Sequence, residues 1–126
     1  MSIFVVWDEP HRRVMHFVYR PQWTNDHLEA ALVRAGAMLK PISHPLDLFI
    51  DQQQVRLKPR DFLLHAQRLT VITRHRHVDR VILLGVPHDF NALRRIAVHQ
   101  ENPFQNYYFA PTLDDAFEFL FEHSAV

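Results

Sequence analysis

The feature that most constrains this chain is an unbroken apolar hexamer, Val81 to Val86. Gly85 is the one small residue in the run, and Pro87 ends it. An apolar run of this length, closed by a residue that cannot continue a sheet ladder, is typical of a strand buried on both faces. The hexamer therefore predicts a buried strand.

Four further runs of apolar, β-branched and aromatic residues predict strands. The turn residues from Asp8 to His11 separate the first two runs, so those two are expected to form an antiparallel hairpin. Neither face of the second run is plainly polar. The four predicted strands are Ile3 to Trp7, Arg13 to Tyr19, Leu46 to Ile50 and Asn106 to Ala110.

Segments with apolar residues at helical spacing lie between these runs. Thr24 is the expected N-cap of the first, Pro59 suits the first turn of the second, and Thr112 begins a capping box before the last. The order β-β-α-β-α-β-α-β-α predicts one α/β domain over residues 1–126, with a mostly parallel five-stranded sheet, an antiparallel first strand and four helices. The predicted helices run from Thr24 to Leu39, Arg60 to Thr73, about Asp89 to Gln100, and from Thr112 onward.

Composition limits the classes of function that are expected for this chain. Fourteen basic residues balance fourteen acidic ones, so no long-range field favours nucleic acid, which is not expected as a partner. The chain has no cysteine, which excludes disulfides and thiolate chemistry. No apolar run approaches the ~20 residues of a membrane span, and the first residues lack the pattern of a signal peptide. A cytoplasmic protein without a membrane span is expected.

No catalytic or metal-binding motif stands out. Ten His are present, but His75 and His77 have no third ligand at a known spacing, so no metal site is predicted. The chain has two glycines, too few for a nucleophile elbow or a phosphate-binding loop. The acidic pairs Asp8-Glu9 and Asp114-Asp115 are explained by a turn and a helix cap. We therefore expect no enzyme activity and no cofactor.

The segment after the third predicted strand is the candidate binding site. In parallel α/β sheets, ligands and partners meet the protein at the carboxyl ends of the strands. Three successive Gln offer uncharged hydrogen-bond donors and acceptors there. A solvated loop capped by Asp51 would explain the same residues. The candidate partner- or ligand-binding residues are Asp51, Gln52, Gln53, Gln54, Lys58 and Arg60.

Four segments carry a resemblance to a known family, namely Tyr19 to Asp26, Leu46 to Asp51, Arg80 to Val86, and Ala110 to Ala116 with its Thr-Leu-x-x-Ala pattern. With these segments the chain resembles the SpoIIAA-like fold, the group that contains the STAS domains of anti-sigma-factor antagonists. The resemblance implies a non-enzymatic domain that docks onto another protein. In the best-known members a Ser or Thr just after the third strand is phosphorylated, whereas this chain has Gln52 and Gln53, which cannot accept a phosphoryl group.

Two functions follow as hypotheses. The first is a regulatory module that docks onto a signalling protein through residues 51–58 and the start of the next helix. The alternative is a carrier or sensor of an apolar, lipid-like small molecule, which the Phe- and Tyr-rich composition and lipid-holding relatives suggest. A homodimer is also considered, because a second subunit could cover one face of the second strand.

Overall fold

The structure is a computed structural model that describes residues 2–55, 59–85 and 106–123, with side chains for all of these except residues 59–63. Strands and helices alternate after an initial hairpin. The described elements are β1 Ile3–Trp7, β2 Val14–Tyr19, α1 Asn25–Leu39, β3 Leu46–Asp51, α2 Pro59–Arg68, α3 Thr70–Thr73, β4 Val78–Leu84, β5 Tyr107–Ala110 and α4 Leu113–Glu122.

The five strands form one sheet in the order β1-β2-β3-β4-β5. β2 to β5 are parallel to one another, and β1 pairs antiparallel with β2. The predicted α/β class, with a mostly parallel five-stranded sheet and an antiparallel first strand, is confirmed. Below, the edge at which β2 to β5 end is the carboxyl edge, and the edge at which they begin is the amino edge.

The sheet face that packs against α1, called the α1 face, carries the larger core. Side chains two apart on a strand share a face, so Met15, Phe17 and Tyr19 of β2 point to the same side. All three are buried with apolar residues of α1, α2 and α3. Trp7 and Trp23 are partly buried and pack against this core.

The opposite face, called the α4 face, packs against α4. Its core contains Phe49 and Ile82 of the central strands together with Ala116 and Leu120 of α4. The sheet is therefore covered on both sides where β3 and β4 lie, as the apolar run in β4 predicts.

Side-chain caps fix where α1 and α4 begin. The Thr24 hydroxyl accepts a hydrogen bond from the backbone N–H of His27, and the His27 ring accepts one from the backbone N–H of Thr24. The Thr112 hydroxyl likewise accepts from the backbone N–H of Asp115. Both Thr residues are predicted caps, and both predictions are confirmed.

The predicted helix from Arg60 to Thr73 differs from the structure. It is divided into α2 and α3, with Leu69 between them. The Thr70 hydroxyl donates to the carbonyl of Gln67 at 2.6 Å, and the residues after it are β-branched. A side chain that bonds to the preceding turn competes with the helix ladder, which accounts for the break.

Strand limits differ by a few residues, and part of the prediction cannot be compared. β4 begins at Val78, three residues before the predicted Val81, and ends at Leu84. The helix predicted from Asp89 to Gln100 lies outside the described residues. Within the described part of the chain, no helix has the length and apolar character needed to cross a membrane.

Candidate functional site

A buried histidine lies between two carboxylates on the α4 face. The Nδ1 atom of His16 is 2.8 Å from Oδ2 of Asp8, and its Nε2 atom is 2.9 Å from Oδ2 of Asp51. His16 is 5% exposed, and its ring meets the ring of Phe49 edge-on at 5.9 Å. Below, these three polar residues, Asp8, His16 and Asp51, are called the histidine clamp.

Strand register brings the clamp together. His16 of β2 lies opposite Val6 of β1 and opposite Phe49 of β3. Asp8 and Asp51 each follow one of those partners by two residues, so both carboxylates point to the same face as the imidazole. The clamp thus joins three strands diagonally, from the β1–β2 turn to the carboxyl end of β3.

The two carboxylates keep His16 protonated. Burial by itself lowers the pKa of the imidazole, but the hydrogen bonds and charges of Asp51 and Asp8 outweigh it and raise the pKa to about 9. Burial raises the pKa of Asp51, yet hydrogen bonds from His16 and Gln53 bring it below its usual value. The clamp is therefore an imidazolium held by two carboxylates at neutral pH.

Asp51 also shapes the segment that follows β3, residues 52–55, called the Gln loop. Its Oδ1 atom accepts hydrogen bonds from the backbone N–H of Gln53 at 3.1 Å and from the Gln53 side-chain amide at 3.0 Å. The backbone N–H of Gln52 donates to the carbonyl of Leu84, and that of Val55 donates to the carbonyl of Gln52. Four hydrogen bonds thus fix a turn that begins at the clamp.

A second buried histidine lies on the α1 face, at the carboxyl edge. Nε2 of His65 is 2.5 Å from the hydroxyl of Tyr19, and the ring of Trp23 lies 5.1 Å from the His65 ring. Burial lowers the pKa of His65 to about 4, and the charge of Arg68 acts in the same direction. The neutral ring has one donor and one acceptor nitrogen, and its Nε2 atom shares one hydrogen bond with the Tyr19 hydroxyl.

The candidate binding residues predicted from the sequence differ in their exposure to solvent. Asp51 and Gln52 are buried, whereas Gln53 and Gln54 are exposed at the carboxyl edge. Arg60 lies in the first turn of α2, but its side chain is not described. Lys58 lies outside the described residues.

His16 is the site residue that the sequence analysis does not single out. Asp8 is expected to be a turn residue, whereas Asp51 is among the predicted binding residues, with a loop cap as the alternative. The available signal is an imidazole between Val14 and Val18, at positions that share one face of a strand. A polar group at such a position requires a partner, and an acid that follows each neighbouring strand could supply it.

The described residues also line an open cleft of about 420 Å³ at the amino edge. Four of the eight residues that line it are charged, namely Arg13, Asp47, Asp79 and Arg80, and the other four are apolar. Arg80 donates two hydrogen bonds to Asp47, both at 3.0 Å. The cleft therefore offers charged and apolar groups in equal number.

Comparisons with known proteins do not place the chain in a family. No protein-family model matches it, and no curated protein or solved structure is detectably similar to it. The likeness to STAS domains stays a prediction from the sequence. Among the described side chains, no group of three or more His, Asp or Glu is arranged to hold a metal ion.

Replacing His16 with Gln should destabilise the protein by about 3 kcal/mol at pH 6.5, because it leaves the buried carboxylate of Asp51 and the partly buried carboxylate of Asp8 without their cation. A histidine with a raised pKa stabilises the fold fully below its unfolded pKa near 6.5, and this contribution is lost as the pH rises toward about 9. The difference in unfolding free energy between wild type and His16→Gln should shrink over that window. Urea denaturation at several pH values measures it, with exposed His11→Gln as control. A constant difference would contradict the clamp.

Acid should weaken the fold through His65. Its pKa is lowered to about 4, so the unfolded chain takes up this proton below about pH 6.5 while the folded one does not. The stability advantage of wild type over His65→Gln should therefore fall as the pH drops from 6.5 to 4. The same denaturation series tests this, and Tyr19→Phe should lose about 1 kcal/mol at neutral pH. An advantage of wild type that grows on acidification would contradict a neutral His65.

Proposed function

We propose that the chain is a non-enzymatic docking module that recognises a protein partner through the Gln loop. The observation that carries this proposal is the fixed conformation of an exposed polar turn at the carboxyl edge of a parallel sheet. Gln53 and Gln54 face solvent, while Asp51 and Gln52 beneath them are buried. Loops in this position are frequent binding sites because the sheet holds them rigidly.

Rigidity favours recognition because a loop that is already ordered loses less entropy on binding. The clamp holds Asp51, and Asp51 holds both the backbone and the side chain of Gln53. The Gln54 side chain next to it has both amide donors and a carbonyl acceptor to offer. A neutral amide surface of this kind suits the backbone of a partner polypeptide better than an isolated charged ligand.

The histidine clamp itself suits a structural role. Both ring nitrogens of His16 face carboxylate oxygens at hydrogen-bond distance, so neither nitrogen has a lone pair with which to accept a proton from a substrate. The ring is also buried beneath the α4 face. These features favour a clamp that fixes the loop over a catalytic base.

The resemblance to STAS domains supports the same proposal. In that group the segment after the third strand is the docking and switching segment, and here the Gln loop occupies it. Gln53, the exposed residue that follows Gln52, has no hydroxyl to phosphorylate. Docking in this protein would then be constitutive rather than switched at this loop.

Site-specific photo-crosslinking tests the proposal. A benzophenone side chain at position 54, in protein expressed in its native cells, should give one discrete protein adduct. The same group at Val33, an exposed residue of α1, is the matched control and should not give that adduct. Adding Gln53→Ala, which removes one of the two bonds to Asp51, should reduce the adduct several-fold in a chain that stays folded. The absence of an adduct at position 54, or an equal yield from position 33, would contradict docking at the Gln loop.

A further inference from the structure

Basic residues that are distant in sequence meet at the amino edge of the sheet. Three backbone hydrogen bonds connect the segments there: Asp47 N–H to the Arg13 carbonyl at 2.8 Å, Leu46 N–H to the His77 carbonyl at 2.9 Å, and Val81 N–H to the carbonyl of residue 106 at 3.0 Å. The β1–β2 turn, the entry to β3 and the entry to β4 are thus neighbours. Adjacent strands lie about 4.8 Å apart, so these segments form one continuous strip.

This strip, called the basic edge, is rich in unpaired cations. Their side chains are exposed, and the ion pairs found among the described residues do not include them. Four of the five are Arg, which binds phosphate in a bidentate fashion. They are Arg12 and Arg13 in the first turn, Lys40 at the end of α1, and Arg74 and Arg76 between α3 and β4.

Two histidines lie on the basic edge. The rings of His75 and His77 lie 5.5 Å apart on either side of Arg76. Partial burial lowers the pKa of His75, and the positive charges of His77 and Arg76 lower it further. Positive neighbours disfavour protonation of His75, which indicates that the surface around this ring is positive.

Two acidic residues near the basic edge have hydrogen-bond or ion-pair partners within the protein. The Glu9 carboxylate accepts hydrogen bonds from the backbone N–H groups of His11 and Arg13, and Asp47 is paired with Arg80. Asp79 is exposed on the rim of the cleft. A carboxylate there can accept a hydrogen bond from an exocyclic amine such as that of cytosine.

Aromatic rings adjoin the basic edge beyond the cleft. The ring of Phe119 lies 5.0 Å from that of Tyr108 and is stacked on that of His123 at 4.2 Å, with an interplanar angle of 27°. Tyr108 is 37% exposed. The guanidinium of Arg80, in the wall of the cleft, lies 5.9 Å from the centre of the Phe119 ring. Cations, a cleft and a row of rings therefore follow one another along the same surface.

We infer that the amino edge binds single-stranded nucleic acid, with phosphates on the basic edge and bases on the aromatic row beside the cleft. Single strands are bound by such combinations of a positive groove and stacking side chains. The aromatic row distinguishes this ligand from an acidic peptide, which has no bases to stack. Zero net charge argued against nucleic acid in the sequence, but the fold gathers the cations at one edge.

Fluorescence anisotropy with a labelled twelve-nucleotide RNA of mixed sequence tests the inference. Binding should have a Kd of about 100 μM or tighter at physiological salt and should weaken as salt rises. Arg76→Gln should weaken binding and lower the salt slope by about 0.7, the value for one phosphate contact on a single strand. The matched control is Arg20→Gln, an exposed Arg at the carboxyl edge, which should change neither.

A second variant tests stacking. Tyr108→Leu keeps an apolar side chain on β5 but removes the ring, so it should weaken binding at least three-fold without changing the salt slope. Thermal denaturation confirms that the variant is folded. A polyglutamate peptide of equal charge should compete about three-fold more weakly than unlabelled RNA, because it has charges but no bases to stack.

Three results would overturn the inference: no RNA binding, an equal loss for Arg20→Gln and Arg76→Gln, or competition by polyglutamate equal to that by unlabelled RNA together with unchanged binding by Tyr108→Leu. The last result would mean that the edge binds acidic protein instead. Because this surface lies at the opposite edge from the Gln loop, crosslinking at position 54 succeeds or fails independently of it.

Discussion

The imidazolium of His16, held between Asp8 and Asp51, is the interaction on which the arrangement of this molecule depends. It joins β1, β2 and β3 on the α4 face. Burial alone would favour the neutral ring, and the two carboxylates keep it protonated. Removing His16 leaves both carboxylates without their cation, so the imidazolium is the member of the clamp on which the other two depend. Through Asp51, the same charges set the position of the Gln loop.

Each face of the sheet carries one buried histidine, and the two differ in protonation. On the α4 face, a protonated His16 binds Asp51, whereas on the α1 face a neutral His65 shares a hydrogen bond with the hydroxyl of Tyr19. Their pKa values are displaced in opposite directions because two carboxylates contact His16, whereas burial dominates at His65. The segment that we propose for docking is held on the α4 face, where His16 binds Asp51 and Asp51 binds Gln53.

Most of the fold can be predicted from the sequence, because local residue patterns indicate its strands and helices. The run at Val81 and the caps at Thr24 and Thr112 identified strands and helices whose order implies a parallel sheet. The break at Leu69 was missed because it depends on one hydroxyl bonding to a carbonyl of the preceding turn. A local sequence pattern does not show whether that side-chain hydrogen bond is stronger than the backbone hydrogen bonds of a continuous helix.

The site was less accessible because its parts come together only through strand register. The sequence predicts Asp51 as a binding residue at the end of β3. Its burial and its hydrogen bond to His16, however, depend on β2 lying beside β3. The cations of the amino edge are spread from Arg12 to Arg76, and a net charge of zero conceals them. A sum over the chain cannot show that the fold places one sign of charge on one edge.

The protonation state of His16 is the most direct test of this account. Long-range proton–nitrogen NMR correlations of the protein labelled with ¹⁵N-histidine, assigned by comparison with His16→Gln, report whether each ring nitrogen carries a proton. The account predicts that both nitrogens of His16 are protonated at pH 8, with a titration midpoint at about 9. A neutral His16 ring at pH 7.5 would contradict it.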